Sequence, residues 1–268
     1  MTLRIYLYLA YKTMNQSEAI NTVVDRLKNC ESVLFITGAG LSADSGLPTY
    51  RGVGGMYEVD GTEDGLPIEQ LLSPGMLNSR PEVTWKYLAQ IADACRGATF
   101  NRGHEVIANF EKSVPRCWVL TQNVDGFHKA AGSRNVIDIH GDMHELICTN
   151  CSWQKTLDHL DEFSMPPQCP QCQQIARPRV VLFGEMLPFE KVDIMQEELE
   201  RGFDVIISIG TSALFPYISG PVEFASRTST FTVEINPGTT EISNVVDVHL
   251  KIGAAAALDE IWRMFNAS

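Results

Sequence analysis

The sequence lacks the features of membrane-spanning, nucleic-acid-coating and disordered proteins. No apolar run reaches the roughly 18 to 20 residues that a helix needs to cross a bilayer. Lys and Arg number 21 against 33 Asp and Glu, a net charge of −12, so a cationic face that displaces phosphate counterions is not expected. The hydrophobic share of 44% and the charged share of 20% exclude wholesale disorder. We therefore expect a soluble protein without membrane or nucleic-acid partners.

Disulfide bonds are not expected either, because a chain of 268 residues can bury a sizeable core without them. Four of the seven cysteines form two C-x-x-C pairs, Cys148 with Cys151 and Cys169 with Cys172. Two such pairs supply four soft ligands to a tetrahedral zinc ion, and redox-active pairs are the alternative. Four thiolates leave no open coordination position, so this single zinc ion would be structural. The cysteine usage also predicts a reducing, cytoplasmic compartment.

The N-terminal stretch 1–11 is apolar, but no small-residue cleavage site follows it. A secretory signal and a plain extension ahead of a start at Met14 are the two alternatives. The short apolar stretch and the reducing-type cysteines favour an extension, which we assign to residues 1–16.

Short β-branched runs separated by helical stretches predict a doubly wound α/β fold with a parallel, Rossmann-like sheet. We expect a first helix capped by Ser17. The remaining elements are strands at 32–37, 117–121, 135–140, 204–209, 230–235 and 246–250, and helices at 81–96, at 190–201 and at the C-terminus.

Two intervals, 44–100 and 142–180, interrupt this alternation. We expect them to form a second, smaller domain that contains a helical module and the zinc ribbon. The large domain would then comprise residues 17–43, 101–141 and 181–268 of one catalytic unit that spans 17–268.

A glycine motif, Gly38 to Ala43 (GAGLSA), directly follows the first predicted strand. It matches G-x-G-x-x-G/A, in which glycines make a tight turn and let the backbone approach a pyrophosphate, with helix amides facing the phosphates. The acidic residue that a dehydrogenase carries about 20 residues later is lacking, and a glycine-rich loop stands there at 50–55. The motif predicts a dinucleotide whose ribose is held differently from that in a dehydrogenase.

Polar residues follow the other predicted strands at 121–125 (TQNVD), His140, 210–212 (GTS) and 236–238 (NPG). The carboxyl ends of parallel strands meet at one crevice, so we expect these groups to converge with the glycine motif. A lone histidine is more often structural, but this convergence favours a functional role for His140. Three other histidines keep a structural interpretation: His128, His144 and His159.

Seven ordered motifs resemble those of the sirtuins, which are NAD-dependent protein-lysine deacylases. The resemblance runs from about Ser17 to the C-terminus. Its motifs are GAGLSADSGLPTYRG (38–52), TQNVD (121–125), IHG (139–141), the two C-x-x-C pairs, VVLFGE (180–185), GTS (210–212) and INPG (235–238).

The resemblance implies a role for each matching position. His140 and Asn123 would be the catalytic residues, with His140 as the base. The residues that would bind NAD are Gly38, Ala39, Gly40, Asp44, Tyr50, Arg51, Gln122, Asn123, Asp125, Gly210, Thr211, Ser212 and Asn236. The strand expected to pair with the acyl-lysine protein substrate contains Val181, Phe183, Gly184 and Glu185.

The family's reaction transfers the acyl group from lysine to ADP-ribose and releases nicotinamide and O-acyl-ADP-ribose. His140 would remove a proton from a ribose hydroxyl, which then attacks the imidate carbon, because the pKa of imidazole lies near neutrality. A gap-free alignment places Met56 and Val59 where succinyl-removing sirtuins carry Tyr and Arg, and Glu58 would repel a carboxylate. We therefore expect acetyl or another neutral acyl group.

Two other functions could use the same site. One is mono-ADP-ribosyl transfer, in which a protein nucleophile accepts the sugar. The other is a non-catalytic module that binds NAD or ADP-ribose and recruits partners through its zinc ribbon. The presence of His140 and Asn123 counts against the binding module.

Overall fold

The computed structural model describes residues 14–49, 62–157 and 165–267. The predictions made for Tyr50, Arg51, Met56, Val59 and His159 lie outside these ranges, as does nearly all of the N-terminal extension. Within the described residues, no helix has the length and apolar character that crossing a membrane requires.

We number the elements in chain order. The strands are β1 Ser32–Thr37, β2 Arg116–Thr121, β3 Val136–Asp138, β4 Gly141–Cys148, β5 Gln154–Thr156, β6 Ala176–Val180, β7 Val205–Ile209, β8 Phe231–Ile235 and β9 Val248–Leu250. The helices are α1 Gln16–Lys28, α2 Ala39–Ser42, α3 Ile68–Leu71, α4 Pro74–Ser79, α5 Pro81–Cys95, α6 Arg102–Ser113, α7 Phe127–Ala130, α8 Phe189–Glu200, α9 Pro216–Ala225 and α10 Ala254–Phe265.

Six of the described strands form one parallel sheet in the order β3-β2-β1-β7-β8-β9. This is the strand order of a Rossmann-like sheet, and its direction of winding reverses between β1 and β7. The predicted fold class is therefore confirmed. Ligands of such sheets bind at this switch point, beyond the carboxyl ends of the strands.

Strand β1 is buried along its whole length because helices cover both faces of the sheet. Val33 and Phe35 contribute to a core shared with α1, α6 and α10. Leu34 and Ile36 point to the opposite face, where residues of α8 and α9 pack. The alternating side chains of one apolar strand thus enter two separate cores.

The first helix begins earlier than predicted. Asn15, not Ser17, is the N-cap, and its side chain accepts a hydrogen bond from the backbone N–H of Glu18. The Glu18 carboxylate accepts one in return from the Asn15 backbone N–H at 2.9 Å. This reciprocal capping box leaves fewer unpaired amides than a cap at Ser17 would.

A second, antiparallel sheet in the order β5-β4-β6 carries the cysteine pairs. Its buried residues share a core with helices α3, α4 and α5. The indole N–H of Trp85, on α5, donates to the carbonyl of Ala176 on β6 at 3.1 Å. The helical module and the ribbon therefore pack as one body.

The strand predicted at the peptide-pairing position is not present. Residues 181–185 follow β6 as a turn, closed by a hydrogen bond from the Glu185 N–H to the Leu182 carbonyl at 3.0 Å. Gly184 has a φ of 87°, in the left-handed region that favours glycine. The chain reverses here because the Glu185 carboxylate accepts hydrogen bonds from Arg177 and from the Leu182 N–H.

Candidate active site

The glycine motif lies at the switch point and is held against β7 by its backbone. Gly38 N–H donates to the Ile209 carbonyl at 3.0 Å, and Gly40 N–H donates to the Gly210 carbonyl at 2.8 Å. A Cβ placed on Gly40 would lie 2.6 Å from the Gly210 Cα. The amides of Gly38 and Gly40 are therefore bonded within the protein, and Gly40 permits close packing of two backbones. That amides at the start of this helix face phosphates stays a prediction.

Asn123 and Asp125 lie beyond the end of β2 and are joined by Ser42 of α2. The Asn123 amide group donates to the Gly38 carbonyl at 3.1 Å and to the Ser42 Oγ at 3.0 Å. The Ser42 hydroxyl donates to the Asp125 carboxylate at 2.6 Å. Asn123 is 7% and Asp125 5% exposed, and burial raises the pKa of Asp125 against the hydrogen bonds from Ser42 and the Phe127 amide.

A pocket with about 380 Å³ of empty space, part of which is open to solvent, lies beside this group. Ser42, Asn123 and Asp125 provide its polar side chains, and the rest of its lining is largely apolar. The other lining residues are Ala39, Leu47, Pro48, Ile91, Ala94, Cys95 and Val124. Apolar walls with a few convergent polar groups are typical of a small-ligand site.

His140 follows β3 and is half-buried, with both ring nitrogens hydrogen-bonded. Its Nδ1 lies 3.0 Å from the Gln122 carbonyl oxygen, and its Nε2 lies 2.6 Å from the Tyr217 hydroxyl. A carbonyl only accepts, so Nδ1 carries the ring hydrogen and Nε2 holds the lone pair. Burial lowers the pKa of His140, although the hydrogen bond to Gln122 opposes this. The ring is therefore neutral at pH 7 and can act as a base.

Thr211 connects the crevice to the ends of β7 and β8. The Gln122 side chain donates to the Thr211 Oγ1 at 2.7 Å, and the Asn236 side chain donates to the Thr211 carbonyl at 3.1 Å. Gly210 has a φ of 59°, and Ser212 is exposed. The predicted residues at the ends of four parallel strands are thus brought together.

Asp44 is predicted to bind NAD, but in this structure its carboxylate is hydrogen-bonded to another part of the protein. Its carboxylate accepts a hydrogen bond from the Ala255 N–H at 2.8 Å. This contact satisfies one of the free amides at the start of α10, so in this structure Asp44 caps a helix.

The four predicted zinc ligands meet in one cluster, with their sulfur atoms within 4.8 Å of one another. Cys148 Sγ lies 3.4 Å from Cys172 Sγ, and Cys151 Sγ lies 3.6 Å from Cys169 Sγ. A tetrahedron with Zn–S bonds of about 2.3 Å has sulfur atoms about 3.8 Å apart. Backbone amides also donate to the sulfurs of Cys148 and Cys169. The donor set therefore fits a structural zinc ion.

Sequence reasoning missed Ser42 and Tyr217 as site residues. Ser42 lies inside the glycine motif, where a hydroxyl near a strand end could have indicated a polar contact. Tyr217 lies in the first turn of α9, and no spacing rule connects it with His140, 77 positions earlier. Only the fold brings the side chains of Tyr217 and His140 together.

Comparison with known proteins agrees with this arrangement. A model of the Sir2 family matches residues 38–215. The NAD-dependent protein deacylase 2 of Pseudomonas aeruginosa is 49% identical over 241 residues, which cover 88% of this chain and 93% of that protein. The NAD-dependent protein deacylase 1 of Archaeoglobus fulgidus is 37% identical over 233 residues, which cover 86% and 91%.

Solved structures give the same result. A Sir2 homologue crystallised as a complex with NAD matches with a TM-score of 0.81 and 34% identity, over 91% of this chain and 93% of that one. The chain therefore belongs to the Sir2 family, and the resemblance seen in its motifs is confirmed.

Proposed function

We propose that this chain is an NAD-dependent protein-lysine deacylase that transfers a neutral acyl group, acetyl above all, from lysine to ADP-ribose. The observation that carries the proposal is the convergence of a neutral His140, the buried Asn123 and Asp125, and the glycine motif at the carboxyl edge of the parallel sheet. Relatives that are 49% and 37% identical to this chain are named NAD-dependent protein deacylases.

NAD would be the second substrate, lying along the carboxyl edge of the sheet. The cavity beside Asn123 and Asp125 suits the nicotinamide end, because its walls are apolar and its few polar groups converge. Thr211 and Asn236, at the ends of β7 and β8, would lie along the adenosine half. The acyl-lysine side chain would enter near the turn at 181–185.

His140 would act after nicotinamide has left. The acyl oxygen is by then bonded to the anomeric carbon. A ribose hydroxyl must lose its proton to attack the acyl carbon. The Nε2 lone pair is the atom that accepts this proton, because the hydrogen bond to Gln122 keeps the ring hydrogen on Nδ1. The bond between the acyl carbon and the lysine nitrogen then breaks, and the amine leaves with the proton that His140 accepted. One water molecule adds at the acyl carbon and releases the anomeric oxygen as a hydroxyl, so the acyl group remains on the attacking ribose oxygen.

The zinc ion would be held by Cys148, Cys151, Cys169 and Cys172, where it cross-links the ends of β4 and β6. We further infer one catalytic unit from residue 17 to 268. A cytoplasmic location is inferred from the cysteine usage, because the two C-x-x-C pairs are arranged as metal ligands.

Product analysis tests this function. With NAD and an acetyl-lysine peptide, we expect mass spectrometry to detect O-acetyl-ADP-ribose, and a succinyl-lysine version of the peptide should give a lower kcat/KM. ADP-ribosylated protein would instead indicate ADP-ribosyl transfer, and NAD binding without nicotinamide release would indicate a binding module. Either result would contradict the proposal.

A paired substitution tests the role of the base. His140→Tyr should lower deacylation roughly 100-fold to 10,000-fold, with the zinc content and thermal unfolding unchanged. His144 is a nearby histidine whose ring is hydrogen-bonded to Asp142. The variant His144→Gln is the matched control and should stay active. Full activity of His140→Tyr would refute the assignment.

A further inference from the structure

Tyr217 is held against His140 by packing as well as by a hydrogen bond. Its hydroxyl oxygen lies 2.6 Å from Nε2. The rings of Phe215 and Tyr217 stack with centroids 5.3 Å apart and an angle of 15° between their planes. Both meet the imidazole edge-on, at 5.8 and 5.9 Å. The three rings therefore form one packed group at the start of α9.

The direction of the hydrogen bonds follows from the chemistry of each partner. Nδ1 donates to the Gln122 carbonyl, so the neutral ring can only accept at Nε2. Burial raises the pKa of Tyr217 to about 12, so its hydroxyl keeps its proton and donates. Rotation of the imidazole would break both bonds, and the ring orientation is thus fixed from two sides.

We propose that Tyr217 is a positioning residue for His140, whose hydroxyl holds the Nε2 lone pair in place until the ribose hydroxyl of the substrate replaces it. The inference rests on the proposed function and adds a residue to the second part of the reaction, in which the acyl group is transferred to the ribose. A base is needed only after nicotinamide has left. Tyr217 therefore contributes to formation of O-acyl-ADP-ribose and not to NAD binding or nicotinamide release.

Tyr217→Phe separates these steps, because it keeps the stacked ring and removes only the hydroxyl. Two rates are measured with the same acetyl-lysine peptide: exchange of labelled nicotinamide into NAD, and formation of O-acetyl-ADP-ribose. We expect exchange and the KM for NAD to stay within about twofold of wild type, while product formation falls about tenfold. Tyr87→Phe is the matched control, since it removes a hydroxyl bonded to Asp64 in the smaller unit, and both of its rates should be unchanged.

Two results would overturn the positioning role: an equal fall of both rates in Tyr217→Phe, which indicates a general structural effect, or unchanged product formation. Thermal unfolding of the variant shows whether the fold is kept. A wild-type protein that makes no acylated ADP-ribose would instead refute the proposed function itself. An active wild type, an inactive His140→Tyr and a fully active Tyr217→Phe would refute the role of Tyr217 alone.

Discussion

Gly40 and Gly210 are fixed by the contact between their own backbones. A Cβ on Gly40 would lie 2.6 Å from the Gly210 Cα and 2.8 Å from its carbonyl oxygen. Gly40→Ala should therefore lower the free energy of unfolding by about 1–3 kcal/mol, the usual cost of overpacking.

Gly220→Ala is the matched control for this prediction, since a Cβ there meets nothing within 4 Å. Gly220 lies inside α9 directly before Pro221. The helix propensity of alanine is opposed there by contact with the proline ring, so the stability should change by less than about 1 kcal/mol. Urea unfolding measures both variants. Equal stability of Gly40→Ala and wild type would show that the two backbones are not in contact in solution.

The sequence predicts individual residues well where a motif fixes the chain locally. Gly38, Asn123 and His140 lie at the carboxyl edge of the sheet because each comes within two residues of the end of a strand whose apolar run is easy to find. Asp44 and Tyr217 could not be placed in this way. Their partners, Ala255 and His140, are distant in sequence, and only tertiary packing decides those contacts.

At the scale of elements, the zinc ribbon joins three short strands, of which β5 is fully exposed. A metal ion held by four thiolates cross-links the segments beside these strands, so it should stabilise the ribbon. We expect one zinc ion per chain in wild type and none in Cys169→Ser. Chelation should lower the Tm and shift Trp85 fluorescence to the red, because Trp85 is buried against β6.

Cys30→Ala is the control for zinc binding, since this cysteine is buried in the core that β1 shares with α1, α6 and α10. It should retain the zinc ion even if some stability is lost. A stoichiometric zinc ion in Cys169→Ser, measured by elemental analysis, would contradict the assignment of the four ligands.

Elements buried on both faces were the easiest to predict from the sequence. Strands β1, β7 and β8 are mostly apolar and are buried at every position, and they lie within one residue of their expected bounds. The peptide-pairing strand at 181–185 came from the resemblance and not from an apolar run. In the structure these residues form a turn that Glu185 and Arg177 stabilise through their charges, and their contact with the peptide stays a prediction.

At the scale of the whole molecule, two buried histidines make stability depend on pH. The rings of His104 and His128 lie 4.9 Å apart between α6 and α7. Among the described residues, His104 Nε2 and His128 Nδ1 have no hydrogen-bond partner. Burial lowers the pKa of His104 from 6.5 to about 4 and lowers the pKa of His128 well below 6.5.

The folded chain therefore excludes protons that the unfolded chain binds once the pH falls below 6.5. The free energy of unfolding is therefore highest above that pH, and it decreases as the pH falls towards about 4. Each histidine should add up to about 1.4 kcal/mol per pH unit to the slope of the unfolding free energy. Urea unfolding at several pH values should show a smaller slope for His104→Gln, and equal slopes would contradict this account.

The central claim is that NAD is consumed as a substrate in step with removal of the acyl group. The most direct measurement is the ratio of nicotinamide released to lysine deacylated, followed over time with one acetyl-lysine peptide. The account predicts a ratio of about one, with no release when the peptide is unmodified, because the acyl oxygen itself takes the place of nicotinamide. Free acetate formed while NAD stays intact, or nicotinamide released without any acylated peptide, would contradict it.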